Sequence, residues 1–141
     1  MIYLKRPVSL EYPISSPFGP RKINGKEEHH NGVDFRVPVG TAVYACEDGA
    51  AIRCGWQDES DKTKGFGLRV MQEIEVRENG QDVRYYVFYG HLSKIVIPET
   101  DRIKKGQLIA YSGNTGRSTG PHLHLGVRKR DTGDWHEIEW V

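Results

Sequence analysis

Between Leu68 and Tyr89 apolar and polar residues alternate with a period of two, broken once at Glu78-Asn79-Gly80-Gln81. Successive side chains of a strand point to opposite faces, so this alternation calls for two half-buried strands and not a helix. Asn-Gly accepts positive φ at both central positions of a tight turn, which joins the two strands as an antiparallel hairpin. A hairpin alone is marginal in water and must bury one face against further strands. Segments 43–45, 50–54, 107–111 and 122–127 also read as strands, with turns at Glu47-Asp48-Gly49 and Ser112-Gly113-Asn114. The 16 glycines and 7 prolines suit a turn-rich chain, and no amphipathic stretch of ordinary helix length stands out. The expected fold class is all-β, an antiparallel barrel or sandwich.

At 141 residues the chain is long enough for one domain with its own core. Residues 1–13 read as a short N-terminal arm, 14–141 as a single domain, and Gln57 to Phe66 as a mobile polar loop. Lys and Arg total 20 against 19 Asp and Glu, a net charge of +1, so no basic excess points to nucleic acid and there is no acidic tail. No window approaches the ~18 apolar residues of a membrane span. Met1 to Pro7 lacks the charged start and apolar run of a signal peptide. The expectation is a chain without membrane insertion, either not exported by the usual route or relieved of its export segment. Cys46 and Cys54 lack the C-x-x-C spacing of thiolate metal sites and are expected as small apolar residues in or near the core. A single disulfide between them is the lesser alternative.

Chemistry concentrates in three clusters: His30-Asn31-Gly32-Val33-Asp34, Tyr89-Gly90-His91-Leu92 and Pro121-His122-Leu123-His124-Leu125. Histidine is the commonest metal ligand and the side chain best suited to moving protons near neutral pH. Gly32, with Pro38 soon after, argues against a helix at the first cluster, and in extended chain the even spacing puts His30 and Asp34 on one face. An imidazole and a carboxylate are a suitable ligand pair for zinc. His122 and His124 alternate with Leu123 and Leu125, so one strand face carries two imidazoles and the other two core leucines. Spacing alone does not say which of that pair binds metal. His91 continues the aromatic strand Tyr85 to Tyr89, in phase with Tyr85, Val87 and Tyr89 if that strand is regular. A catalytic zinc takes three protein ligands and one water, whose pKa it lowers to about 7. Two histidines and an aspartate meet that need, and the remaining histidines are left to take the water's proton and to stabilise a tetrahedral oxyanion. Metal-assisted amide hydrolysis accounts for the whole set.

The chain resembles the lysostaphin-type (LytM-like) zinc metallopeptidases, peptidoglycan endopeptidases of bacteria and their phages. The resemblance runs from Ser16-Pro17-Phe18-Gly19-Pro20-Arg21 through His30-Asn31-Gly32-Val33-Asp34-Phe35 and Tyr89-Gly90-His91-Leu92 to Gly116-Arg117-Ser118-Thr119-Gly120-Pro121-His122-Leu123-His124. It covers roughly residues 14 to 128 in the family's order. It implies one zinc ion per chain held by His30, Asp34 and His124, with His91 and His122 as the catalytic pair. It implies a glycine-rich antiparallel fold of the duplicated hybrid motif type. It also implies a substrate among the peptide stems or cross-bridges of peptidoglycan, cut at the bacterial cell wall outside the cytoplasm. His29 precedes the matched position and is expected in solvent. The Gly113 to Gly120 loop superficially resembles a phosphate loop but lacks the Gly-Lys-Ser/Thr ending and a following helix. It is expected instead to wall the substrate groove.

Three other readings compete. Relatives that have lost metal ligands act as non-hydrolytic activators of cell-wall amidases, but all five site residues are retained here. A phosphocarrier domain leaves Asp34 and the paired histidines without a purpose. A purely structural zinc would take His91 or His122 as a fourth ligand. A monomeric phage lysin and a trimmed secreted enzyme fit the chain equally.

Overall fold

The computed structural model describes residues 2–99 and 102–141; Met1 of the predicted arm lies outside them. Among the described residues there are thirteen strands and no helix. In chain order they are β1 (Ile2–Leu4), β2 (Ile14–Ser16), β3 (Gly19–Ile23), β4 (Lys26–His30), β5 (Val33–Phe35), β6 (Ala42–Tyr44) and β7 (Gly49–Trp56). There follow β8 (Leu68–Glu78), β9 (Gln81–Ile95), β10 (Arg102–Ile103), β11 (Leu108–Ser112), β12 (Leu123–Lys129) and β13 (Ile138–Trp140). The fold is all-β, as the alternation requires. One sheet of nine strands dominates, ordered β10-β7-β8-β9-β12-β5-β2, with β11 pairing both β9 and β6. Its pairs are antiparallel throughout.

The β8–β9 hairpin is the spine of this sheet. Asn79 and Gly80 both have positive φ, 48° and 78°, and Glu78 pairs with Gln81 across the turn. On its core face Val70, Gln72 and Ile74 meet Tyr89, Val87 and Tyr85, all 2% exposed or less. Leu123, Leu125 and Val127 of β12 continue this face and are fully buried. Burying each such aliphatic side chain contributes about 1.5–3 kcal/mol. Gln72 is tolerated among them because both ends of its amide are bonded. Its Nε2 donates to the Glu47 carbonyl at 2.7 Å and its Oε1 accepts from the Tyr89 hydroxyl at 2.6 Å.

Two expectations change. Residues 2–8 of the expected short arm join the domain's core: β1 pairs in parallel with β13, and Ile2, Leu4 and Val8 are buried. The 57–66 loop is a series of hydrogen-bonded turns, with Asp58 and Asp61 capping Ser60 and Thr63. It is tied to the 115–117 segment by Gly116 N to Lys62 O at 3.0 Å and Arg117 N to Gly65 O at 2.8 Å. Cys46 is buried, Cys54 half-buried, and both are free thiols. Burial pushes them up to about 12 and about 11.

Candidate metal centre

His30 and Asp34 do not share a continuous strand. The chain leaves β4 after His30, turns at Asn31-Gly32 and starts β5 at Val33. His30 pairs with Gly19 in the separate β3–β4 hairpin, whereas Asp34 pairs with His124 and Ser16 in the main sheet. Gly32 makes the crossing possible. A Cβ there would lie 2.5 Å from the Leu125 carbonyl oxygen and 2.8 Å from the His124 ring. The two ligand-type side chains therefore approach from different sheets.

His124 occupies the face of β12 opposite Leu123 and Leu125, and β12 itself begins at Leu123. His122 sits just before it in an isolated bridge to Gly113. His91 departs from the regular-strand expectation. Val70 pairs with Tyr89 but Leu68 with Leu92, so β9 carries one extra residue here, and His91 takes φ +61°. The bulge moves Leu92 into the core and turns His91 out beside His122, with ring centroids 4.6 Å apart. On a regular strand His91 would have followed Tyr89 inward.

Three basic atoms converge at the centre. Asp34 Oδ1 lies 3.0 Å from His124 Nδ1 and 3.3 Å from His30 Nε2, and the two nitrogens are 3.2 Å apart. A tetrahedral zinc with ligands at 2.0–2.1 Å separates them by about 3.3–3.4 Å, so the spacing fits the metal. The protonation pattern fits it too. A carbonyl only accepts, so His30 Nδ1–H donates to Pro17 O at 3.0 Å, and Nε2 is the ring nitrogen that faces inward. In the same way His91 Nδ1–H donates to Thr115 O at 2.6 Å and His122 Nδ1–H to Gly120 O at 2.8 Å. In both rings Nε2 is the nitrogen left uncommitted to the backbone, and that of His122 lies 3.7 Å from Asp34 Oδ1.

Burial and neighbouring charge shift Asp34, His91 and His124 from their ordinary values. Burial alone would raise the Asp34 carboxyl, but hydrogen bonds and charge from His124 and His30 hold it well below the usual carboxylate range. Burial pushes the His91 imidazole down to about 4 and depresses that of His124, so both are neutral at physiological pH.

A further residue, which spacing did not single out, braces the centre. Arg21 Nη1 donates to Asp34 Oδ2 at 3.3 Å and to Ser16 Oγ at 3.0 Å, and Ser16 Oγ lies 3.3 Å from His30 Nδ1. Its Nε and Nη2 grip Glu28, directly opposite on β4, at 2.8 and 2.7 Å. One guanidinium thus supports two of the three donors. His29 is exposed, its ring edge-on to Phe18 at 5.0 Å.

Above the centre lies a cleft of about 440 Å³. Its lining includes Ile23 and Asn24 of the β3–β4 hairpin on one side, Phe66 and the Arg117 to Thr119 segment on the other. His30, Asp34, His91, His122 and His124 all open onto it.

Fold and centre together define a β protein in which two histidines and one aspartate are grouped so that they could hold a metal ion, beside two further imidazoles on the same cleft. Residues 28–135 match Peptidase family M23, and the chain belongs to that family. It is 36% identical over 86% of its length to peptidoglycan DD-endopeptidase ShyA of Vibrio cholerae, covering 26% of that protein. It is 41% identical over 77% of its length to glycyl-glycine endopeptidase ALE-1 of Staphylococcus capitis, covering 27% of it. A zinc-containing peptidase of Vibrio cholerae superposes over 97% of this chain and 39% of its own, with a TM-score of 0.76 at 34% identity. The chain spans 24% to 31% of the length of the first curated relatives it matches.

Proposed function

We propose that this chain is a zinc-dependent endopeptidase that hydrolyses a peptide bond in the stems or cross-bridges of bacterial peptidoglycan. His30, Asp34 and His124 hold one zinc ion, and His91 and His122 are the catalytic pair. The observation that carries this reading is the convergence of three basic atoms, 3.0–3.3 Å apart, beside two imidazoles anchored through Nδ1 to backbone carbonyls and lining the same cleft. A purely structural metal site has no use for that second pair. Zinc at this place supplies Lewis acidity, making a water easier to deprotonate and a carbonyl easier to attack.

The chain's own groups do the rest. Nε2 of His91 or His122 accepts the proton of the attacking water, since in each ring Nδ1 is bonded to a backbone carbonyl and Nε2 is the nitrogen left for the substrate side. The protonated ring then stabilises the oxyanion or returns the proton to the leaving amine. Phe66, 5.2 Å from the His124 ring between centroids, shields one flank of the centre from water. Arg21 holds Asp34 so that Oδ1 faces inward. The domain extends over 14–141 with residues 2–8 packed onto it, the chain acts as a monomer, and its place of action is the cell wall.

The test is release of new amino groups from purified peptidoglycan of two kinds, glycine-bridged and directly cross-linked, each with zinc and with chelator. Zinc-dependent release from either wall is the expected result. No release from both, with zinc bound, overturns the hydrolytic reading in favour of a binding role.

A further inference from the structure

The charges around the cleft are unequal in their commitments. Arg21 is engaged by Glu28 and Asp34, and these two carboxylates are in turn engaged by Arg21 and the imidazoles. Arg117 stands apart. It is exposed, lines the cleft with His122 and Phe66, and among the described residues forms no ion pair. Its backbone is nevertheless pinned. Arg117 N donates to Gly65 O at 2.8 Å and Gly116 N to Lys62 O at 3.0 Å. Gly116, at φ +75°, is packed so close to Gly67 that a Cβ would meet its nitrogen at 2.3 Å. Two loops are thus clamped together and hold out one uncommitted guanidinium beside the reacting centre. A guanidinium binds a carboxylate by two parallel hydrogen bonds, a match no neutral peptide group makes.

We infer that Arg117 is a specificity residue that takes a free carboxylate of the substrate peptide. The inference rests on the endopeptidase reading and sharpens its substrate class. The preferred substrate is a stem peptide carrying a carboxylate near the cut bond, and a neutral run of glycine lacks the group Arg117 recognises. Binding is ionic only; no bond is made or broken at Arg117.

The experiment uses the zinc-loaded full chain and two directly cross-linked stem dimers, one with free carboxylates and one with them amidated. Wild type should show a higher kcat/KM on the free acid. In Arg117→Ala the acid-over-amide ratio should fall about tenfold, chiefly through KM, and Arg117→Lys should keep part of it. Zinc content and melting temperature check that both variants are folded. An equal loss on both dimers, an unchanged ratio in Arg117→Ala, or no acid preference in wild type overturns the inference. Binding of the corresponding uncross-linked stem peptides, acid against amide, is measured by calorimetry in parallel. If wild type cuts neither dimer, the hydrolytic reading fails, and the same ratio read from binding still decides Arg117.

Discussion

The two ends of the β8–β9 hairpin follow different rules. From Glu78 and Gln81 to Val70 and Tyr89 the partners advance one for one, except for the glycine-bearing turn that starts the ladder. Past Tyr89 the register slips by a residue, Gly90 lies under Phe66, and His91 is forced to φ +61°. The regular end buries apolar side chains and gives the sheet its stability. The irregular end gives up ladder bonds and accepts backbone strain to turn one imidazole from the core to the cleft. Regularity builds the scaffold here, and departure from it builds the site.

The largest effect that tests this contrast is loss of the carboxylate shared by the His30 and His124 imidazoles. Asp34→Ala should abolish zinc binding and lower turnover at least about 1,000-fold, as read by metal analysis and amino-group release, while Glu78→Ala at the far end leaves zinc content intact. Next comes Arg21→Ala, which touches the centre only through Asp34 and Ser16. Zinc affinity should fall about 10–100-fold in competition with a chromophoric chelator, with partial recovery in Arg21→Lys. An unchanged affinity would show that the hairpin's hold on Asp34 contributes nothing to the metal.

Two smaller changes compare left-handed residues at opposite ends. Gly80→Ala, at φ +78°, should cost about 1 kcal/mol in denaturant unfolding and leave zinc affinity alone. His91→Gly should be about 1 kcal/mol more stable than His91→Ala, because glycine, unlike alanine, accepts φ +61° without strain. If the two His91 variants are equally stable, the bulge stores no strain.

Much of this was legible in the sequence, for physical reasons. The Asn79-Gly80 turn and its flanking alternation declare themselves because a half-buried ladder repeats every second residue. The five site residues stand out because few side chains bind metals or move protons. The β3–β4 hairpin was missed because four of the five β4 residues are exposed and charged or polar, leaving no periodic signal. The His91 bulge is invisible for another reason: a one-residue slip changes which way a side chain points without changing its identity. Nor could sequence name Pro17, Thr115 and Gly120 as anchors of the imidazoles, since they act through backbone carbonyls that any residue supplies.

The central claim is that the centre has two parts, three residues that hold zinc and two that move the proton. The most direct measurement is zinc content and amino-group release, side by side, for His91→Ala and His122→Ala. The account predicts about one zinc per chain in both variants and kcat reduced about 100- to 10,000-fold in each. Loss of zinc from either variant would contradict it by making that histidine a ligand, and turnover at the wild-type rate would remove it from the mechanism.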